Sequence, residues 1–319
     1  MARSCCAGIL GLLIVFAPQS SHAQSQLART FVSSVNGNDA NDCNRATPCR
    51  TFQRAHDNTL PSGEITVLDA GGYGAVNITK NISIINDGVG EAGILVSGGN
   101  TGVAIHAGPG DAVTLRGLTI KGIGFGGGNG IVFTTGKILG VENCTVRNMD
   151  GGAIAGKGIA FTPTTANAKL SVSNTVVSDN LRNGIVIQPV VSQPNTASSA
   201  VLTRVEVRNN GGDGVIVDGE SSGANSVEAT ISDSVAAFNG GTGIRAFTQN
   251  STAPVLVKVV RSLLARNGVG VGSDGGGLAL LYLMGNTFLE GVELNNPDNN
   301  IRSFGDNDLF ASPPLVNKH

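Results

Sequence analysis

Charged side chains recur at matching offsets before a repeated Asn in the middle of this chain. One residue before that Asn stand Arg147, Asp179, Arg208, Phe238 and Arg266. Three before stand Thr145, Val177, Glu206, Ala236 and Leu264, and six before stand Glu142, Asn174, Thr203, Asp233 and Arg261. Cations and carboxylates at like offsets can do one of two things. They can pair with each other across neighbouring strands, worth a few tenths of a kcal/mol per exposed pair. They can also line a groove that takes a charged ligand. Asp179 falls one repeat from both Arg147 and Arg208, which fits plain pairing. An Arg acting as a base would need a strongly lowered pKa, which a neighbouring carboxylate opposes.

Other chemistries have less support. Removing the first 23 residues leaves His56, His106 and His319, too scattered for a His-centred triad or metal cluster. Gly124–Gly130 (GFGGGNG) could cradle a phosphate only ahead of a helix or an anion nest, and the apolar strand-like run Ile131-Val132-Phe133 follows instead. Asn36–Asp42 offers oxygens at alternate positions, as Ca²⁺ prefers, but lacks a closing acidic ligand and is equally a run of turn formers. Ca²⁺ is the one cofactor the sequence suggests, and no metal ligand set is assigned. Cys43 and Cys49 flank the short loop DCNRATPC, where a disulfide is expected over a metal pair because no His or further Cys lies near. Cys144 falls on an inward offset and reads as a buried free thiol.

The elements that position these residues are repeats. From Lys169 to Gly270 one phrase returns four times: a short alternating run, an Asn, a Gly-bearing turn and a second apolar run. The Asn column reads Asn148, Asn180, Asn209, Asn239 and Asn267, at spacings of 32, 29, 30 and 28. Several Asn-to-Gly spacings are four, as in Asn180–Gly184, Asn210–Gly214 and Asn239–Gly243. Such a period signals a solenoid. Apolar residues two, four and eight before the Asn keep a period of two, which predicts strands and excludes a 3.6-residue helix. No segment has room for a crossover helix. The fold class expected is all-β, a parallel β-helix with like residues stacked about 4.8 Å apart. A stacked Asn amide can donate and accept along its column and tolerates a left-handed corner.

Composition agrees. There are 46 Gly in 319 residues and no Trp, with 14% charged residues and a net charge of −2. Gly supplies the corners, and so weak a charge gives no reason to expect a nucleic-acid partner. Met1–Ala23 reads as a secretory signal, with Arg3, the apolar run Ala7–Phe16 and the small-x-small site Ser21-His22-Ala23. That run is too short to span a bilayer, and no second span follows. A secreted or periplasmic product with no membrane insertion is expected. The division expected is a signal over 1–23, an N-terminal strand, disulfide loop and cap over 24–62, and the solenoid over 63–319.

Residues 29–58 carry a resemblance. Phe31-Val32-Ser33, Gly37-Asn38-Asp39 and Pro48-Cys49-Arg50-Thr51 resemble the opening of exported proteins of the pectin lyase-like superfamily, as do Gly63–Val67 and Gly71–Gly74. The resemblance implies a right-handed parallel β-helix with a short N-terminal helix capping its open end, on which Phe52 and Ala55 would face the core. It further implies an acidic polysaccharide as partner, held in a groove of Arg, Asp and Glu. By column position the implied catalytic set of a polysaccharide lyase is Arg208 with Asp179 and Glu206, and the substrate-binding set is Arg147, Asp233 and Arg266. The motifs specify fold and not reaction. Trp-x-Asp-His, Asp-Asp with Gly-His-Gly, and Asp-Pro-His are all missing. The alternative is a non-catalytic structural or adhesion module. The strand after each turn is apolar throughout, so Val132, Ile154, Val186 and Ile216 are expected to face outward. Such a stripe wants a cover, supplied by the loops Gln188–Ser199 or Phe161–Ala168, or by a homo-oligomer.

Overall fold

The computed structural model describes residues 26–309, apart from 124–126, 152–154, 192, 194, 224, 250–251, 276, 290–293 and 298. The signal reading of 1–23, Ile154 and His319 lie outside these. The chain winds through about nine turns of a parallel β-solenoid. Each full turn contributes one strand to each of three parallel sheets, of 11, 10 and 9 strands. In a middle turn these are Lys169–Ser173 in the first sheet, Val176–Ser178 in the second and Ile185–Ile187 in the third. The next turn repeats them as Ala197–Thr203, Glu206–Arg208 and Val215–Asp218. Among the described residues every strand pair is parallel, and in the regular coils the register is kept from turn to turn, for example Val177 with Val207 and Ile187 with Val217.

Two corners are made by single residues in the left-handed region. Between first and second sheets these are Asn143, Asn174, Arg204, Asp233 and Arg261, with φ of 46–54°. Between second and third sheets they are Asn148, Asp179, Asn209, Phe238 and Arg266, with φ of 51–59°. Asn and Asp accept this conformation with little strain because a short polar side chain can bond locally.

Each corner is backed by a ladder inside the coil. After the second sheet, the Asn180 amide donates to Asn210 Oδ1, Asn210 to Asn239 and Asn239 to Asn267, each at 2.9 Å. The same oxygens accept the backbone N–H groups of Asn180, Asn210 and Asn239 at 3.1–3.2 Å. All four amides are buried. Met149 closes the column through its N–H to Asn180 Oδ1 at 3.1 Å. The expected column therefore holds at Asn180, Asn239 and Asn267 and slips at two coils. Asn148 and Asn209 are the exposed corner residues, and Asn210 carries the ladder. Asn suits both places, so adjacent Asn209 and Asn210 could not be told apart by type.

The slip changes which residues face in. Counted from the ladder, the inward positions of the second sheet are three before and not two. Val146, Val177, Val207, Ala236 and Leu264 form its buried column. Val177, Ala236 and Leu264, expected on the outer face, are core. Eight before Asn210 is Leu202, which is buried, while the expected Val201 is 49% exposed. At the other corner a hydroxyl ladder does the same work. Thr175 Oγ1 accepts from Cys144 N, Ser234 Oγ from Val205 N and Ser262 Oγ from Ser234 N, at 3.1–3.2 Å.

Aliphatic columns from all three sheets fill the interior, with Phe133 and Phe161 stacked at 5.0 Å between centroids. The N-terminal end is capped as the motifs implied. Helix Phe52–Asn58 starts at Thr51, whose hydroxyl accepts from Arg54 N at 3.2 Å, and Phe52 and Ala55 are fully buried. Asp39 ties the two motifs together by accepting from Arg50 N, Thr51 N and Thr51 Oγ1 at 2.8–3.0 Å. Cys43 and Cys49 form a disulfide, and Cys144 is free and buried. Burial pushes the Cys144 thiol up to about 11.

Candidate functional site

The charged residues gather on the outer face of the second sheet and along its corner with the third. An open cleft of about 440 Å³ lies there, lined by Lys121, Gly122, Ile123, Asn148, Asp150 and Asp179. Lys121 and Arg147 are register partners on adjacent strands, so both cations project from the same outer column. Arg147 leads directly into the corner residue Asn148, and the Asp150 N–H donates to Gly127 O at 3.0 Å. Asp179 occupies the next corner position. It accepts from Ser178 Oγ at 2.6 Å and from Asn209 Nδ2 at 3.3 Å, which orients its carboxylate along the corner. Both Asp150 and Asp179 are exposed.

Arg208 belongs to the same column as Arg147, two coils on, with Ser178 between them. Its Nε donates to Glu206 on the same strand. Arg266 lies on the same corner three turns from Asp179, with its guanidinium 5.9 Å from the Phe238 ring centroid. Asp233 lies apart, at the opposite corner of the second sheet. It makes a two-pronged pair with Arg261 at 2.8 Å, and that pair holds the Asp233 carboxyl below its usual range. The structure thus puts Asp179 on the cleft, sets Arg147 on the strand that leads into the cleft residue Asn148, places the Glu206–Arg208 pair one coil beyond Asp179 and leaves Asp233 elsewhere.

Lys121 and Asp150 were not among the expected residues. Lys121 is the next-to-last residue of the strand Leu118–Gly122, just ahead of the Gly-rich insertion that hides the repeat register. Asp150 follows Met149, which replaces the ladder Asn in that coil, so the repeat phrase does not point to it.

A second open cleft, of about 370 Å³, runs from the cap helix to the third sheet among Gln53, Asn77, Leu95, Ser97, Asn100 and Thr101. No charged side chain lines it. Among the described residues no group of three or more His, Cys, Asp or Glu side chains gathers as metal ligands. Oxygens of the Asn36–Asp42 run are engaged within the turn and with the cap. Asp39 is taken by the cap, Asn38 Oδ1 accepts from Ala40 N at 2.9 Å, and Asp42 accepts from Thr47 and Asn44. His56 is buried in the cap helix, where its Nε2 accepts from Thr79 N at 3.2 Å and Nδ1 faces Asp57 at 3.1 Å. Burial lowers its pKa, and the ring serves the cap.

No family model and no curated protein matches the sequence. Solved structures match its fold. A GH136 lacto-N-biosidase from Eubacterium ramulus superposes with a TM-score of 0.50 at 16% identity, covering 88% of this chain and 67% of that one. Pectate lyase Pel9A gives 0.48 at 15%, covering 87% and 78%. An alginate lyase from Paenibacillus sp. str. FPU-7 gives 0.42 at 13%, covering 89% and 100%. At such identity the likeness is one of fold, and that fold is the parallel β-helix expected from the N-terminal motifs.

Proposed function

We propose that this chain is an exported β-helix that binds acidic polysaccharide along the corner between its second and third sheets. The observation that carries the reading is the cleft, where Lys121 stands with Asp150 and Asp179, and Arg147, the register partner of Lys121, adds a second cation on the adjoining strand. A uronate carboxylate is met best by an ammonium or guanidinium group, and sugar hydroxyls donate to carboxylates. Arg208 extends the cation row along the coil axis, the direction in which a polymer would lie. The Cys43–Cys49 disulfide supports an oxidising destination, in line with residues 1–23 as a signal, 24–62 as the cap and 63–319 as the solenoid. No helix among the described residues is long and apolar enough to cross a membrane.

Two forms of this reading differ in chemistry. In a lyase, Arg208 would take a proton with Asp179 and Glu206 assisting. In the non-catalytic form the groove only holds the polymer, as an adhesion or structural module would. One observation favours the second: Arg208 already donates to Glu206 and Arg261 to Asp233. A guanidinium so engaged is a cation in place and a poor proton acceptor.

The test uses polygalacturonate, alginate and a neutral glucan, each with and without Ca²⁺. Retention in affinity gels reports binding, and ultraviolet absorbance of an unsaturated product reports cleavage. Lys121→Ala and Arg147→Ala are each expected to weaken binding of the acidic polymers about tenfold, ~1.4 kcal/mol, and added salt to weaken it further. Retention of the acidic and neutral polymers alike, unaffected by either substitution, would reject the groove. Product absorbance abolished by Arg208→Ala would restore the lyase form.

A further inference from the structure

Resting on the reading that the corner groove holds a sugar polymer, we propose that Phe238 is a stacking subsite for a sugar ring, two coils beyond the charged cleft. Five residues turn this corner with positive φ, and four of them are Asn, Asp or Arg. Phe238 is the exception, at φ 56°. A bulky residue in the left-handed region is an outlier, and such strain clusters at sites of function. The turn does not require it, because Asn209 makes the same corner one coil earlier at φ 53°.

The ring does not serve the core. Phe52, Phe133, Phe161 and Phe288 are buried, whereas Phe238 is 53% exposed. A single exposed apolar residue needs no explanation by itself. Its placement separates this one from the rest. Phe238 follows Asn209 along the corner, and Asn209 donates to Asp179, which lines the cleft. At about 4.8 Å per coil the ring lies roughly 10 Å from Asp179, within reach of one short oligosaccharide. The other exposed Phe ring among the described residues, Phe304, lies against the half-buried Tyr282 of the first sheet.

The chemistry around the ring suits an acidic sugar. Phe238 offers a flat apolar face for the C–H face of a pyranose. Arg266 holds its guanidinium over the ring, 5.9 Å from the centroid, so a cation stands within reach of the carboxylate of a sugar at the opposite face. Phe238 would then set the length of polymer that the groove recognises, while Lys121 and Asp179 hold its other end.

Calorimetric titration with a uronate disaccharide and hexasaccharide tests this. Phe238→Asn keeps a residue suited to the corner, so the fold is retained, and circular dichroism verifies it. The expected result is a loss of about tenfold in hexasaccharide affinity (~1.4 kcal/mol) with disaccharide affinity unchanged, while Lys121→Ala weakens both. Phe238→Trp should retain hexasaccharide affinity. Its indole is the sole one in a chain without Trp, so its fluorescence should change with the hexasaccharide and not with the disaccharide. Unchanged hexasaccharide affinity in Phe238→Asn, or an equal loss for both lengths, overturns the subsite. If Lys121→Ala still weakens binding in that event, the cleft stands without it. A wild type that binds neither oligosaccharide removes both.

Discussion

At the scale of single residues, the ladder Asn does more than turn the chain. Asn239 accepts from the amide and the backbone N–H of Asn210 and donates to Asn267 and to Val207 O. Asn239→Ala strands these groups in the interior and is expected to cost about 1–3 kcal/mol, read as a lowered urea midpoint. Asn209→Gly, one coil earlier, removes no ladder bond and keeps a residue suited to positive φ. Its midpoint should hardly move, and a loss matching that of Asn239→Ala would contradict the ladder assignment. Asp69 makes a second residue-scale prediction. Partial burial opposes its charge, but hydrogen bonds from Ser33, the Ser34 backbone and Tyr73 outweigh this and hold the carboxyl at about 2. Its folded pKa thus lies below the unfolded value of about 3.9. The stability it contributes is fully present above the unfolded pKa and is lost as pH falls towards 2. Ser33→Ala should therefore move the acid-unfolding midpoint to higher pH. An unshifted circular-dichroism titration would count against the role given to Asp69.

At the scale of the repeat, the Asn-x-x-x-Gly spacing has a steric cause. A Cβ at Gly184 would lie 2.9 Å from Asn210 Nδ2, one at Gly214 would lie 2.8 Å from Asn239 Nδ2, and one at Gly243 would lie 2.6 Å from Asn267 Nδ2. Each Gly leaves room for the ladder amide of the following coil. None of the three needs positive φ. Gly214→Ala also meets Gly243 O at 2.5 Å, and it is expected to lower stability by about 1–3 kcal/mol through overpacking. Thermal melting would measure it. A neutral effect would mean that the coil spacing yields more easily than the backbone contact implies. The regular phrase was legible in the sequence because each coil meets the same neighbours. The coils from Gly63 to Gly130 were not, since their insertions break the period, and with them went Lys121.

At the scale of the whole molecule, the apolar stripe on the third sheet is covered by the chain itself. Val186 is 4% exposed and Ile216 8%, while Val132 is half-buried. The expected cover is therefore present within one chain at these two positions, and a homo-oligomer is not needed for it. The stripe ends one coil on, where Arg245 takes the register of Ile216 and donates to Asp274 at 2.8 Å. Val186→Asp and Ile216→Asp should each bury an unpaired carboxylate and lower the melting temperature sharply. Light scattering should show the same mass for folded wild type and variants. Dissociation of a larger species, with the fold intact, would return the stripe to a partner.

The sequence by itself determined the solenoid, its corners, the capped start and the disulfide loop. The solenoid and its corners rest on local turn chemistry and on a period repeated often enough to outweigh any one coil, the capped start on the resemblance of the N-terminal motifs, and the disulfide on two Cys close in sequence. Only the tertiary structure decided the register. An inward offset of two holds at Asn148 and Asn209, which are corner residues, and fails at the ladder residues Asn180, Asn239 and Asn267, so Val177, Ala236 and Leu264 moved from face to core. It also decided the site. Lys121, Asp150 and Asp179 come from three successive coils, and what joins them is the stacking of corners across turns, which residue spacing cannot express once an insertion has intervened.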